Sequence, residues 1–468
     1  MKRMIVWMLT VCLMLPLMLL VPGCVAVPDE QPEPEPDPTP QEPDVPDEPA
    51  KQPDEAVDDG YADQQSAITD YLNVFGRTPL INKGLTMFWT NSGFSFAFRG
   101  TGVTAKINTS TTNKTYYGYL NVYIDGATTP NATICVDKNG TYTLAEGLEN
   151  GDHTIEVRKR NEAIYGESAT LTLKELTVTD GKFNKTPPKA PKYTLEFIGD
   201  SITSGFGNMV TDGGGAGANF STHTQDGTMT YATITARAAA CNASVLSRSG
   251  ICYVTGSDRP SMFPYYTNTA NLPGNGVLAD NWDFDAHPTD IVVINLGTND
   301  AGARIDGKPI TATQYQELAY NFLRLVRVNN PDATIIWAYG MMTHSGGDPI
   351  KAAVEQCNDE GDGEVYYCPL PVMNHNTEGV GVHGHPDYLS HLISAVALSE
   401  FLEENTFLKF DYTPMLRDAL LIAEQYPDVD ADILADAETL LSGSSDSKQA
   451  KDAVLAIIAA CKSAFAGK

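Results

Sequence analysis

Hydrophobic and polar positions alternate along the first folded stretch of the chain, from about residue 71 to residue 184. Short runs such as FSFAFRG, TGVTAKIN and HTIEVRKR are separated by turns rich in glycine and asparagine. Alternation with a period of two places the apolar side chains on one face of a strand, and closely spaced short strands are typical of two packed sheets. Residues 71–184 therefore predict a β-sandwich.

The pattern changes in residues 192–408, where apolar runs alternate with helical spacing. YTLEFIGDSIT, DIVVINLGTND and ATIIWAYGMM indicate buried strands, and helices are predicted over residues 230–240, 312–329 and 388–405. This alternation predicts an α/β domain of three layers, with a parallel sheet between two layers of helices. Because the carboxyl ends of parallel strands meet at one edge, the polar residues that follow these strands are candidates for a site.

Residues 412–468 predict a small helical module. Thr413-Pro414 marks the start of one helix, and two further helices are indicated by apolar residues at helical spacing, namely Leu434, Ala437 and Leu441 in one and Val454, Ile458, Cys461 and Phe465 in the other. A packing role and a partner-binding role both fit this pattern. The sequence therefore leaves any partner of the module unknown.

The first 60 residues carry the signals of an exported protein. Residues 1–23 have a basic start and an apolar run, which predicts a signal peptide, and Cys24 follows a VPG segment that is similar to the lipobox of bacterial lipoproteins. A lipid anchor at Cys24 places the protein at the cell surface, whereas an ordinary cleaved peptide leaves it secreted. Residues 24–60 include ten prolines and 13 acidic residues, which predicts a disordered linker.

Charge, motifs and cysteines narrow the classes of function. The chain has 31 Lys and Arg against 59 Asp and Glu, a formal net charge of −28, which argues against nucleic acid as a partner. The phosphate-binding GKS or GKT and the zinc-binding HExxH are absent, which argues against a P-loop enzyme and a zincin, and no Cys/His pattern suggests a metal. In an exported protein Cys241 could pair with Cys252 and Cys357 with Cys368, but spacing alone leaves the disulfide state open.

Three polar segments could combine at the predicted sheet edge. Ser201 follows an apolar strand in FIGDSIT, Asn299 follows another in INLGTND, and His385 precedes the helix predicted over residues 388–405. A serine hydroxyl becomes a nucleophile when a histidine takes its proton, and an asparagine amide can donate to the oxyanion that forms. Taken singly, Ser201 could be a helix N-cap and GTND a polar turn. A metal cluster of His375, His383 and His385 is an alternative that no carboxylate spacing supports.

Taken together, these motifs resemble a known family. GDSIT, the glycine in SRSGI, GTND and the final HP resemble the four sequence blocks of SGNH (GDSL-type) hydrolases in the same order. KRNEAIYG, SRSGI, MFPYYTNT and the HP block are also similar to carbohydrate esterase family 2, whose members join a jelly-roll sandwich to an SGNH domain. The resemblance covers about residues 76–405. It implies removal of acetyl groups from plant polysaccharides such as xylan and glucomannan, without a cofactor.

The resemblance also implies a role for each residue. Ser201 would be the nucleophile and His385 the base, while the backbone N–H groups of Ser201 and Gly250 and the side chain of Asn299 would form the oxyanion hole. Acetylated polysaccharide or oligosaccharide is the expected partner.

One position departs from the usual SGNH pattern, in which an aspartate lies three residues before the histidine. This chain has Val382 there. Some members of carbohydrate esterase family 2 use a Ser-His dyad whose imidazole is oriented by a backbone carbonyl, and the sequence is similar to them in this respect. Glu378 or Asp387 could supply a carboxylate instead, and the sequence leaves this choice open.

Further residues are candidates for contact with a sugar. Trp282, Tyr265 and Tyr266 could stack on a sugar ring, and Asp300 follows Asn299 in GTND. Ordinary packing between sandwich and sheet is the alternative for the aromatic residues. Two other functions also fit the motifs: an SGNH lipase or arylesterase acting on other acyl esters, and a polysaccharide-binding protein that keeps the fold without catalysis.

Overall fold

The computed structural model describes residues 60–62, 70–81, 83–163, 169–212, 219–269, 281–443 and 446–466. The predicted signal peptide, Cys24 and all but the last residue of the predicted linker lie outside these residues. Within them, no helix has the length and apolar character needed to cross a membrane.

The alternating runs form two antiparallel sheets packed face to face. In the described residues the strands are β1 (Tyr61–Ala62), β2 (Asn73–Phe75), β3 (Leu80–Ile81), β4 (Gly84–Met87), β5 (Gly93–Gly100), β6 (Gly102–Thr109), β7 (Gly118–Ile124), β8 (Ala132–Val136), β9 (Gly140–Ala145), β10 (Gly151–Lys159), β11 (Leu171–Thr179) and β12 (Lys182–Asn184). One sheet has the order β1-β12-β5-β10-β7-β8, with β2 beside β5, and the other has the order β3-β4-β11-β6-β9. Phe94, Phe96 and Phe98 alternate along β5 and are buried in the core between the sheets. The predicted β-sandwich is confirmed.

The second domain is built on a parallel sheet. Its strands are β13 (Thr194–Gly199), β14 (Asn242–Ser247), β15 (Ile291–Asn295), β18 (Thr334–Met341) and β19 (Val365–Val372), and a hairpin of β16 (Arg304–Ile305) and β17 (Lys308–Pro309) precedes β18. The order across the sheet is β14-β13-β15-β18-β19, and each neighbouring pair is parallel. The strand order reverses at β13 and β15, and ligands bind beyond the carboxyl ends of the strands at such a switch point.

Helices cover both faces of this sheet. The helices of the described residues are α1 (Ser201–Ser204), α2 (Tyr231–Ala238), α3 (Phe263–Tyr266), α4 (Ala312–Asn329), α5 (Gly347–Asp359), α6 (Tyr388–Asn405), α7 (Thr413–Ala423), α8 (Ala431–Ser442) and α9 (Ser447–Ala466). Helices α2 and α6 share one hydrophobic core with Phe197 of β13, whereas α4 and α5 share another with Ile294 of β15. The three-layer α/β arrangement is confirmed.

The C-terminal helices α7, α8 and α9 extend the layer formed by α2 and α6. Their buried side chains belong to the same hydrophobic core as β13. Polar contacts reinforce this packing, since Arg237 of α2 lies 2.7 Å from Asp418 of α7 and the Tyr426 hydroxyl donates to Asp387 at 2.6 Å. The predicted helical module thus packs against the α/β domain.

The six cysteines of the described residues carry free thiols. Cys241 and Cys368 lie in the hydrophobic core on one face of the parallel sheet, whereas Cys252 and Cys357 lie in the core on the other face. The parallel sheet therefore lies between Cys241 and Cys252, and likewise between Cys357 and Cys368, the two pairs that their spacing in the sequence suggested.

A buried arginine joins the sandwich to the α/β domain. Arg77 follows β2 and is 1% exposed, and its guanidinium lies 3.0 Å from the carboxylate of Glu196 on β13. It also donates to the backbone carbonyls of Tyr266 and Asn268. The pair is buried between the domains, so each charge depends on the other for compensation.

We expect Arg77→Ala to lower the free energy of unfolding in urea by about 3–5 kcal/mol, because it leaves the Glu196 carboxylate buried without its partner. Arg99→Ala is the matched control. It removes an arginine whose ion pair with Asp152 is about half exposed, at 54% and 56%, and such pairs contribute little to stability. Equal losses in the two variants would contradict the proposed importance of the buried pair.

Candidate active site

Ser201 lies at the turn from β13 to α1. Asp200 caps this short helix because its Oδ1 accepts the N–H of Ile202 at 2.9 Å, and Gly205 ends the helix with a φ of 75°. The sharp strand-to-helix turn places Ser201 at the carboxyl end of β13. The serine is therefore at the switch point of the sheet, as the sequence predicts.

The structure brings His385 to Ser201 across 184 positions of sequence. The imidazole Nε2 is 2.9 Å from the Ser201 Oγ, and Nδ1 is 3.0 Å from the backbone carbonyl oxygen of Val382. A carbonyl oxygen only accepts hydrogen bonds, so the partners assign the proton to Nδ1 and leave Nε2 as the acceptor. This tautomer suits a base that removes the serine proton.

Neither candidate carboxylate contacts the imidazole. Asp387 caps α6 by accepting the N–H of Ser390 at 3.0 Å and also accepts the Tyr426 hydroxyl. Glu378 accepts the Ser390 hydroxyl and pairs with Lys462 at 3.0 Å. Both carboxylates thus hold the helix after His385, and the backbone carbonyl of Val382 orients the ring.

Burial changes the acidity of the base. It lowers the pKa of His385 to about 4, although the hydrogen bond to Val382 acts in the opposite direction. The Phe206 ring lies 4.5 Å from the imidazole, centroid to centroid, and stacks at 3.8 Å on Phe220. These rings exclude water from one side of His385, which is therefore neutral at neutral pH and able to accept a proton.

The two predicted oxyanion donors each follow one of the two strands that flank β13. Gly250 lies after β14 with a φ of 77°, and no atom lies within 4 Å of the place a Cβ would occupy. Asn299 lies after β15, where its amide nitrogen donates to Asp200 at 3.0 Å and to the carbonyl of Ile251 at 3.1 Å. Both amide hydrogens thus have acceptors, so Asn299 must exchange one bond to reach an oxyanion. Its role, like that of Gly250, stays a prediction.

Trp282 and Tyr266 do not lie where a sugar at Ser201 could stack on them. Tyr266 is fully buried, and the Trp282 ring lies 5.2 Å from the Arg77 guanidinium. Trp282 lines a cavity of about 350 Å³ together with residues at the amino ends of the strands, namely Thr194, Asn242 and Asp290. That edge is opposite the one that carries Ser201. Trp282 and Tyr266 therefore pack near the domain interface and do not stack on a sugar at Ser201, contrary to the prediction.

Tyr265 and Asp300 are also buried, at 5% and 2% exposure. The Tyr265 hydroxyl accepts a hydrogen bond from Arg248 at 3.0 Å, so its ring packs inside the domain. Asp300 accepts the N–H of Val254 at 2.9 Å, and burial raises its pKa to about 7. Asp300 lines a cavity of about 320 Å³ with Gly297, and its contact with substrate stays a prediction.

The described residues contain no group of three or more His, Cys, Asp or Glu side chains placed to hold a metal ion. The histidine-cluster alternative therefore has no support within them. The sequence analysis missed two elements of the site: Asp200, which links the Ile202 N–H of α1 to the Asn299 amide, and Phe206, which packs against His385. The aspartate in GDSIT was a visible signal for the first, since it precedes a helix start.

The chain is similar to known carbohydrate esterases. Residues 74–188 match the family model for the N-terminal region of carbohydrate esterase 2. The cellulase/esterase CelE of Acetivibrio thermocellus is 31% identical over 319 residues, 66% of this chain and 36% of that protein. A solved family two carbohydrate esterase from Clostridium thermocellum, in complex with cellohexaose, is 28% identical with a TM-score of 0.62 and covers 71% of this chain and 98% of its own. The chain is therefore similar in sequence and in fold to esterases of carbohydrate esterase family 2.

A further relative is the acetylxylan esterase / glucomannan deacetylase of Cellvibrio japonicus. It is 27% identical over 298 residues, which cover 62% of this chain and 76% of that protein. The chain spans about a third of the length of CelE and about three quarters of the Cellvibrio protein. The family 2 fold accounts for the sandwich and the α/β domain together.

The low pKa of His385 predicts how Ser201 reactivity depends on pH. Only the neutral imidazole can take the serine proton, so a pKa of about 4 keeps the base active at pH values where an ordinary histidine is charged. We expect the rate of Ser201 modification by phenylmethylsulfonyl fluoride to stay constant down to about pH 5 and to halve near pH 4.

Phe206→Ala is the matched variant for this measurement. Removing the ring admits water to the imidazole, so the half-maximal rate is expected to move toward the ordinary histidine pKa of about 6.5. A wild-type rate that is already halved near pH 6.5, in protein shown to be folded by circular dichroism, would contradict the effect of burial.

Proposed function

We propose that the protein is an exported carbohydrate esterase that removes O-acetyl groups from plant polysaccharides through a Ser201 acyl-enzyme. The observation that carries the proposal is the hydrogen-bonded series from the Val382 carbonyl through His385 to the Ser201 Oγ. Its position at the switch point of a family 2 fold supports an acyl-transfer reaction, because a serine paired with a correctly oriented base is the minimal machinery for it.

In the first half of the reaction, the Ser201 Oγ attacks the acetyl carbonyl as His385 Nε2 takes its proton. Negative charge develops on the carbonyl oxygen, where the N–H groups of Ser201 and Gly250 and the amide of Asn299 are proposed to donate. Collapse of the tetrahedral intermediate breaks the bond to the sugar oxygen. That oxygen takes the proton from His385, and the acetyl group remains on Ser201.

In the second half, His385 Nε2 removes a proton from water as the water oxygen attacks the acetyl carbonyl. The bond from the carbonyl carbon to the Ser201 Oγ then breaks, His385 returns the proton to the Oγ, and acetate leaves. The Val382 carbonyl accepts a hydrogen bond from the Nδ1–H throughout, so the ring keeps one orientation. The low pKa of His385 makes its imidazolium a strong acid, which favours protonation of the sugar oxygen as it leaves.

The relatives support the substrate class. The Cellvibrio japonicus relative is described as an acetylxylan esterase and glucomannan deacetylase, and the solved Clostridium thermocellum relative holds cellohexaose. We therefore propose acetylated xylan or glucomannan as the substrate. The N-terminal signals support export, with Cys24 as a lipid anchor that keeps the enzyme at the cell surface.

Acetate release from acetylated xylan and acetylated glucomannan tests this function. We expect the wild-type protein to release acetate and Ser201→Ala to lose activity by about a thousandfold or more, since the nucleophile is gone. His375→Gln is the control, because it changes an exposed histidine in the segment before the active-site loop, and it is expected to retain activity.

Hydrolysis of 4-nitrophenyl octanoate beside 4-nitrophenyl acetate separates the alternatives. A preference for the octanoate would indicate a lipase-like enzyme. No release from any ester by folded protein that still binds the polysaccharides would contradict the proposal and indicate a binding protein.

A further inference from the structure

A carboxylate of the sandwich domain reaches into the active site of the α/β domain. Glu162 lies just after β10 and is fully buried. Its Oε2 accepts the backbone N–H of Ser249 at 2.6 Å, and its Oε1 accepts the Ser249 hydroxyl. Ser249 directly precedes Gly250, so the carboxylate is bonded twice to the residue next to a proposed oxyanion donor.

The same carboxylate also connects to the helix that carries the nucleophile. The Gln225 side-chain nitrogen donates to Glu162 Oε1 at 3.3 Å and to the carbonyl of Ser204 at 2.9 Å. Ser204 lies in α1, and its hydroxyl donates to Ser247 at the end of β14 at 3.0 Å. Glu162 therefore sits between the Ser249 turn and the Ser201 helix.

The surroundings of Glu162 favour an accepting carboxylate. Three donor groups, two from Ser249 and one from Gln225, converge on it. Burial raises the pKa of Glu162, and the hydrogen bonds from Ser249 and Gln225 and the charge of Lys159 oppose that rise. Lys159 is itself fully buried on the same segment, which lowers its pKa to about 7. An ionised carboxylate accepts all three hydrogen bonds, which neither an amide nor a protonated acid can do.

The Ser249 turn is closed by one backbone hydrogen bond, from the Ile251 N–H to the Arg248 carbonyl at 3.3 Å. Gly250 is exposed, has a φ of 77°, and no atom lies within 4 Å of the place a Cβ would occupy. Glycine itself restricts its backbone little, so the orientation of the Gly250 N–H depends on the hydrogen bonds of the neighbouring residues. The two hydrogen bonds that Ser249 donates to Glu162 fix the turn from its buried side.

We propose that Glu162 is a positioning residue, by which the β-sandwich fixes the Ser249 turn so that the Gly250 N–H meets the oxyanion formed at Ser201. The sandwich thereby completes the active site. This inference rests on the proposed acyl-transfer function, since it assigns a role in stabilising the tetrahedral intermediate. Preorganised donors act in the transition state and not in substrate binding.

Glu162→Gln tests the inference with little change in size. The amide places a donor where the carboxylate accepted, so at least one of the three hydrogen bonds is lost. With 4-nitrophenyl acetate we expect kcat to fall about 10- to 100-fold and KM to change less than about twofold, as for a displaced transition-state donor. The inhibition constant of a boronic acid, which forms a tetrahedral adduct with Ser201, is expected to rise by a similar factor.

Glu196→Gln is the matched control. It makes the same chemical change in a buried carboxylate between the same two domains, but Glu196 pairs with Arg77 and is not bonded to the Ser249 turn. We expect it to lower the melting temperature while leaving kcat within about twofold, because it acts on stability alone. This contrast separates a positioning effect from a general loss of domain packing.

The inference would be overturned if the wild-type protein hydrolyses the ester and a folded Glu162→Gln protein has the same kcat and the same boronate affinity. A wild-type protein inactive on every ester would instead contradict the proposed function, and boronate affinity would still report on the turn. If Glu162→Gln does not fold, Ser249→Ala removes only the hydroxyl bond at a partly exposed site. For Ser249→Ala we expect kcat to fall about 3- to 10-fold, and an unchanged kcat would overturn the inference.

Discussion

The hydrogen bond between His385 Nδ1 and the Val382 carbonyl determines which nitrogen of the imidazole faces Ser201. The loop that provides this carbonyl is itself fixed, because the Val382 N–H donates to Gly207 at 3.1 Å and the Gly381 N–H donates to the carbonyl of His385 at 2.7 Å. A carbonyl selects the tautomer as a carboxylate does, but it compensates the imidazolium charge less. Burial lowers the pKa of His385 to about 4, and the hydrogen bond to Val382 opposes this only in part. The imidazole is therefore a weak base and its imidazolium a strong acid.

Polar groups of the sandwich are buried against the α/β domain. Arg77 of the sandwich is buried against Glu196 of β13, and Glu162 reaches the Ser249 turn. The sandwich and the parallel sheet therefore share polar groups that neither domain could leave buried without a partner. Through Glu162 the sandwich contacts the Ser249 turn beside the candidate active site, whereas the Arg77–Glu196 pair acts on the stability of the domain interface.

The elements of the fold and the position of Ser201 could be predicted, because period-two and period-3.6 patterns are strong and GDSIT follows an apolar strand. The Val382 carbonyl could not be assigned, since every residue has one and only the loop conformation selects it. Trp282 was misplaced for a related reason: sequence distance from GTND does not tell which end of the sheet a loop reaches. The cysteine pairs failed because eleven residues of spacing do not tell which face of the sheet each thiol occupies.

Mass spectrometry of the acyl-enzyme tests the central claim most directly. The protein is mixed with 4-nitrophenyl acetate, quenched in acid within the first turnover and digested, and the peptides are searched for an added acetyl group. The dyad predicts one acetyl group on the peptide that contains Ser201, and none on that peptide in His385→Ala over the same time. Rapid ester hydrolysis with Ser201 unmodified, or equal acetylation without His385, would contradict the account.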